Sequence, residues 1–197
     1  CHHRCRQGSK PTSEKIVTWR GTIGGDITTA EQPTEYAYRY RPALRELTIE
    51  KFRISGKEIG TLTFKARIGN VTRIDAGNFA QLASIALQAV VRSGQLIFED
   101  GSLAGRLIRD RARLAGKSGK AYREALIAEI DAEMRRTKSA DLRRQLQHVR
   151  AFVAKPGQIT VELAPQRPVP VLLVAGIRDT GLLQRILGVT VTAKPLS

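Results

Sequence analysis

A chain of 197 residues with 42% hydrophobic residues is long and apolar enough to bury a core, which excludes an intrinsically disordered protein. Aromatic residues make up only 5%, so we expect an aliphatic core. The formal net charge of +15 favours a polyanionic partner, whereas the excess of Arg over Lys, 23 to 10, is equally explained by GC-rich codon usage.

The start of the chain predicts a flexible tail over residues 1–14, because charges and turn formers there follow no apolar period. The chain begins with Cys1 and its single Met is Met134, so we expect a processed product or a fragment of a longer protein. No apolar run near the start indicates a signal peptide. The apolar run Val169–Ile177 is shorter than the about 20 residues that span a membrane.

Alternation of apolar and polar residues predicts strands in the first third of the chain. The apolar phase shifts by one residue between Ile49 and Phe52, which predicts a bulge. Turn residues from Ser55 to Gly60 predict a hairpin between the last two strands. These strands are Val17–Ile23, Tyr36–Tyr40, Leu47–Ile54 and Thr61–Ile68.

Helical spacing dominates the middle of the chain. A helix is predicted from Asn78 to about Arg92, followed by a short strand, Gln95–Glu99. Further helices are predicted to begin at Ser102, Ser118 and Asp141, and Pro156 with Gly157 ends the last one.

The last part of the chain returns to strand. Ile159–Leu163 and Val189–Thr192 alternate as strands, Pro165–Pro170 is an extended linker, and residues 171–188 predict one or two short helices. Strands, then helices, then strands indicate an α+β fold, with a mainly antiparallel sheet and an inserted group of three or more helices. We predict a single domain over residues 15–197, with its helical section at about 77–155.

Sequence motifs for cofactors are weak. Gly116-Lys117-Ser118 matches the end of a phosphate-binding loop, but Arg111 replaces its first glycine and a helical pattern precedes it, so we interpret it as a turn between helices. The glycines at positions 21, 24 and 25 lack the spacing of a dinucleotide-binding turn. The tail residues Cys1, His2, His3 and Cys5 lie too close together for a tetrahedral zinc site. We predict neither a cofactor nor a metal.

Catalytic sets are equally weak. Glu99 and Asp100 are neighbours on a strand and point to opposite faces, so we interpret them as an acidic turn that meets a helix dipole. Hydrolase chemistry of the Ser/His/Asp type would rest on His148, which we interpret as a helical surface or partly buried residue. We therefore expect a protein without enzymatic activity and predict no catalytic residue.

Basic residues leave nucleic-acid binding open as an alternative. Tyr36, Tyr38 and Tyr40 are predicted on one face of a strand and Arg39 and Arg41 on the other, which favours packing of the tyrosines against the core over base stacking. Arginines on the predicted helices are the expected polyanion contacts, although acidic residues among them also suit a salt-bridged surface. These residues are Arg106, Arg109, Arg113, Arg135, Arg136, Arg143 and Arg144.

Seven short segments carry a resemblance to a known group of proteins. They are Ile49–Ile54, Gly60–Phe64, Ile68–Val71, Phe98–Leu103, Phe152–Gly157, Val161–Pro165 and Leu187–Val191. Together they resemble the C-terminal part of exported proteobacterial proteins that are loosely similar to AsmA-type envelope proteins.

The resemblance implies a β-rich cell-envelope protein, periplasmic or associated with the inner membrane, and assigns no ligand residues. We therefore expect a non-enzymatic envelope protein, either a lipid-facing or a scaffold module, with anionic lipid or another envelope protein as its partner. A cytoplasmic nucleic-acid-binding protein is the alternative.

Overall fold

One antiparallel sheet organises the computed structural model, which describes residues 15–23, 32–72, 88–177 and 180–196. Its strands are β1 (Lys15–Ile23), β2 (Gln32–Arg41), β3 (Glu46–Gly56), β4 (Gly60–Gly69), β5 (Val90–Asp100), β6 (Gln158–Leu163), β7 (Val169–Pro170) and β8 (Val189–Lys194). The strand order is β1-β2-β3-β4-β5-β6-β8, and the short β7 also pairs with β5. Every pairing is antiparallel, as predicted.

Five α-helices lie in the described part of the chain. They are α1 (Leu103–Leu114), α2 (Gly119–Arg136), α3 (Ala140–Ala154), α4 (Val171–Gly176) and α5 (Thr180–Leu187). The first three are inserted between β5 and β6, and each packs against the next. The predicted α+β fold with an inserted group of three or more helices is therefore confirmed.

The β3–β4 hairpin forms as the sequence predicts. Gly56 pairs with Gly60, and the Ile59 N–H donates to the Gly56 carbonyl oxygen at 3.1 Å. The pairing register shifts between Ile49 and Phe52, where the apolar phase changes in the sequence. The irregularity lets residues on either side of the shift face the same side of the sheet.

The prediction of a helix ending near Arg92 is wrong at its end. Residues 90–92 belong to β5, which is eleven residues long and continues through the predicted short strand. Val91 pairs with Ile68, and this contact between two β-branched residues outweighs the local helical spacing. Residues 73–87 lie outside the described residues, so the start of the helical section at about residue 77 stays a prediction.

Side-chain hydrogen bonds cap the N-terminal ends of the inserted helices. Ser118 and Ser139 accept hydrogen bonds from backbone N–H groups in the first turns of α2 and α3, at 3.1 and 3.2 Å. At α1, however, Asp100 caps the helix, since its Oδ1 accepts from the Ala104 N–H at 2.8 Å. The predicted cap, Ser102, instead donates to the Glu58 carbonyl oxygen at 2.8 Å.

Two predictions fall mainly on residues that are not described. The tail at 1–14 and the glycines at positions 24 and 25 lie outside the described residues, whereas Gly21 lies within β1. The extent of a single domain over residues 15–197 stays a prediction.

Candidate functional site

The sheet has one face that is apolar from β2 to β8, which we call the apolar face. Residues that pair across neighbouring strands share a face, so the register identifies its members. In strand order they are Tyr36, Tyr38, Tyr40, Leu47, Ile49, Phe52, Ile54, Leu62, Phe64, Ala66, Ile68, Val91, Leu96, Phe98, Ile159, Val161, Leu163, Val189, Val191 and Ala193.

Most of the apolar face stays half-exposed within the described part of the protein. Ala66 is its one buried member there, whereas Leu96 keeps 37% of its surface accessible. Leu96 lies at the middle of the face, paired with Phe64 on β4 and with Val161 on β6. An accessible leucine at the centre of an apolar sheet face indicates an interaction surface.

The described helices cover one end of this face. Their extensive contacts with the sheet are limited to β6, β7 and β8. The Phe152 ring of α3 meets the Phe98 ring edge-on, with 6.3 Å between the ring centroids. Within the described residues, the apolar side chains of β2, β3 and β4 receive no comparable helix packing.

The three tyrosines line the β2 part of the apolar face. The Tyr36 and Tyr38 rings stack with centroids 6.3 Å apart, and the Tyr40 hydroxyl donates to the Val71 carbonyl oxygen at 3.1 Å. Their neighbours Arg39 and Arg41 lie on the opposite face, as the alternation predicts. This separation removes the combination of aromatic platform and adjacent cations that base stacking would use.

The opposite side of the sheet, which we call the polar face, is rich in charge. Its β2–β5 part carries Glu35, Arg39, Arg41, Glu46, Glu50, Lys51, Arg53, Lys65, Arg67, Arg92 and Glu99. Arg39 pairs with Glu50 at 2.9 Å, and Lys51 pairs with Glu35. Positive charges outnumber negative ones on this face.

Helix α3 closes the outer edge of β8. The Gln145 Nε2 donates to the Val189 carbonyl oxygen at 2.8 Å, and the His148 Nδ1 accepts from the Ala193 N–H at 3.4 Å. An edge strand covered in this way is protected from pairing with another chain. His148 therefore has a structural contact, in agreement with its interpretation as a partly buried helical residue.

A polar groove of about 650 Å³ lies beside this edge, between α3, β8 and α5. Arg144 and Arg185 line it together with Asp141 and Gln184. Its shortest described ion pair, between Arg144 and Asp141, measures 3.8 Å. The lining also includes Ser139, whose hydroxyl oxygen is engaged in capping α3, and His148, which contacts β8.

The seven arginines predicted as polyanion contacts divide into two groups. Arg106, Arg109 and Arg113 lie on α1, and the other four flank the turn between α2 and α3. Arg106 is held by Glu58 at 2.8 Å, and Arg143 donates to the carbonyl oxygens of Met134 and Thr137. These two side chains have structural partners.

The remaining five of these arginines are exposed, with long contacts or none among the described residues. Arg113 is 82% exposed and lies 3.8 Å from Asp110, and Arg144 is 72% exposed. Arg135 and Arg136 are exposed in the last turn of α2. Contact of these residues with a polyanion stays a prediction.

The sequence motifs for cofactors and catalysis have structural explanations wherever they lie within the described residues. Gly116 adopts φ 63° in the turn between α1 and α2, a conformation that glycine takes without strain. Glu99 lies on the polar side of β5, while Asp100 caps α1. No group of His, Cys, Asp and Glu that could hold a metal occurs in the described ranges, and Cys1, His2, His3 and Cys5 lie outside them.

Comparison with known proteins gives one match. A family model described as "Uncharacterized protein" matches residues 53–194, a span that includes most of the apolar face and all of the inserted helices. No curated protein matches the chain, and no solved structure matches it. Because the match covers well over half of the sequence, the chain belongs to this family of uncharacterized proteins.

Proposed function

We propose that this chain is a non-enzymatic protein of the bacterial cell envelope whose apolar face binds lipid acyl chains. The observation that carries the proposal is the half-exposed apolar face with Leu96 at its centre. Contiguous exposed apolar surface marks sites that bind other molecules.

The shape and chemistry of the face suit an extended hydrocarbon. Neighbouring strands lie about 4.8 Å apart, so the five steps from β2 to β8 span roughly 24 Å. Between Ile49 and Val161 the face presents aliphatic and phenyl side chains without a charged group. A flexible acyl chain can follow such a surface without leaving buried polar groups unpaired.

The envelope location rests on the resemblance of the sequence segments to exported proteins. No helix among the described residues is both long and apolar enough to cross a membrane. We propose that contact with lipid occurs through the sheet, because its apolar face is half-exposed with Leu96 accessible at its centre. Recovery of the native protein in the periplasmic or membrane fraction supports this location, and recovery in the cytoplasm contradicts it.

The lipid proposal is tested by extracting the purified protein and measuring acyl chains by mass spectrometry. The decisive variant is Leu96→Gln, and the matched control is Leu107→Gln, the same change at a 52% exposed leucine on α1. We expect Leu96→Gln to lower the acyl content by about fivefold, because it replaces roughly 1 kcal/mol of apolar contact with a polar group.

The control keeps the wild-type acyl content, since α1 lies outside the apolar face. Either of two results contradicts the proposal: a wild-type extract without acyl chains, or an equal loss in both variants.

A further inference from the structure

A cluster of charge occupies one end of the polar face, where β2, β3, β4 and β5 lie side by side. Glu46 is only 4% exposed, and three arginines surround its carboxylate. Arg41 Nη2 contacts Oε1, Arg67 Nη2 lies 3.4 Å from both carboxylate oxygens, and Arg92 Nε lies 3.6 Å from Oε2. We call these four residues the Glu46 cluster.

The fold builds this cluster from three strand pairings. Arg41 pairs directly with Glu46 across β2 and β3. Between β4 and β5 the register shifts after Arg67, which places Arg92 at an irregular position. Such an irregularity re-aims a side chain, and here it lets Arg92 reach the polar face.

Gly69 leaves the space that Arg92 uses. A Cβ atom at position 69 would lie 2.7 Å from Arg92 Nε, closer than real Cβ atoms approach other atoms. The absence of a side chain therefore allows the guanidinium to cross β4 towards Glu46. The position of Arg92 depends on both the irregular register and this glycine.

The charges of the cluster do not balance. One carboxylate faces three guanidinium groups, so the cluster carries an excess of two positive charges. The described residues offer these guanidiniums no second acidic partner. Each guanidinium has five N–H donors, and the single carboxylate engages only a few of the fifteen.

The excess donors are accessible from solvent. The side chains of Arg41, Arg67 and Arg92 are 39%, 54% and 43% exposed, although the carboxylate beneath them is buried. The long contacts of Arg67 and Arg92 leave both groups able to turn towards a second anion. Glu46 thus holds three cations in one place while neutralising only one of them.

We propose that Arg41, Arg67 and Arg92 form a binding site for a phosphate group on the polar face. A phosphate presents several oxygens to converging guanidinium forks, and its charge matches the excess of the cluster. The phosphate belongs either to a lipid headgroup or to a free phosphate ester. The site lies on the opposite side of the sheet from the apolar face, so the proposal does not rest on acyl-chain binding.

The experiment titrates inorganic phosphate into the full chain at low ionic strength and follows binding by calorimetry. The test variant is Arg67→Gln with Arg92→Gln, and the control is Arg111→Gln with Lys120→Gln, which changes the net charge equally on exposed helical residues outside the predicted polyanion contacts. We expect the test variant to bind phosphate at least about tenfold more weakly than wild type, and the control to stay within about twofold.

Thermal unfolding first establishes that each variant folds. If the double variant does not fold, Arg67→Gln alone is compared with Arg111→Gln by the same criterion. Absence of saturable phosphate binding by wild type, or an equal loss in test and control, overturns the proposal.

Vesicles then identify the source of the phosphate. They contain phosphatidylcholine alone or with phosphatidylglycerol, and both variant pairs are measured. Binding to the anionic vesicles that is lost only in the test variant supports a lipid headgroup, whereas phosphate binding without vesicle binding supports a free ester. Leu96→Gln is expected to leave phosphate binding unchanged, so failure of this site and failure of the lipid proposal are distinguishable.

Discussion

Glu46 is the one charged residue that is buried among the described residues. Its three arginine partners lie five, 21 and 46 positions away in the sequence, on β2, β4 and β5. The alternation in β3 places Glu46 on the polar side, but only the strand register shows that the four side chains meet. Sequence reasoning therefore missed this cluster and pointed instead to the arginines of the helices, where helical spacing makes proximity visible.

Replacement of Glu46 by Gln is expected to destabilise the fold. It removes the charge that holds three guanidiniums together and leaves them to repel one another. Because these arginines are half-exposed, we expect a loss of about 1–3 kcal/mol in the free energy of unfolding, below that of a fully buried pair. Urea unfolding measures this loss in the free energy of unfolding, and Glu50→Gln is the control because it breaks an exposed ion pair.

Lowering the pH is expected to remove the stability that the charged Glu46 carboxylate contributes to the fold. Burial raises the pKa of Glu46, but the hydrogen bond from Arg41 and the charge of Arg67 outweigh burial and hold the pKa below its ordinary value. A lowered pKa in the folded state gives stability that is present above the unfolded pKa, about 4.3, and is lost as the pH falls through the folded value.

Unfolding measured against pH tests this prediction. The difference in stability between wild type and Glu46→Gln should be constant near neutral pH and should shrink below pH about 4. A difference that stays unchanged on acidification would show that the carboxylate charge does not stabilise the fold.

At the scale of elements, periodicity predicted most of the secondary structure. Strict alternation in β4, and helical spacing in α2 and α3, identify these elements because each places its apolar side chains on one face. The start of β5 was missed because residues 90 and 91 fit the helical spacing of the residues before them. Only their pairing with β4 identifies them as strand. The cap of α1 was misassigned because Ser102 and Asp100 are both good capping residues and only the local geometry selects Asp100.

The contact between α3 and β8 gives a prediction about this edge. Gln145→Ala removes the donor to the Val189 carbonyl oxygen and is expected to expose the edge of β8 to pairing with a second chain. We expect concentration-dependent self-association in sedimentation velocity and faster hydrogen exchange across β8. Gln147→Ala, an exposed change on the same helix, should leave both unchanged; equal behaviour of the two variants would refute a protective role for Gln145.

At the scale of the whole molecule, the two faces of one sheet have different chemistry. The apolar face and the polar face that carries the Glu46 cluster follow from the same alternation of side chains along β2–β5. The sequence predicted this alternation and the antiparallel sheet. It did not predict that the inserted helices pack mainly against one another and reach the sheet at β6 and β8, because that arrangement depends on contacts between distant segments.

Photolabelling tests the central claim, that the apolar face binds acyl chains, most directly. The purified protein is irradiated with a fatty acid that carries a photoactivatable group in its chain, and labelled peptides are identified by mass spectrometry. We expect labels on Phe64, Leu96, Val161 and their neighbours on the apolar face, and we expect unlabelled fatty acid to compete for them. Labels confined to the exposed leucines Leu107 and Leu114 of α1, or no label that a competitor removes, would contradict it.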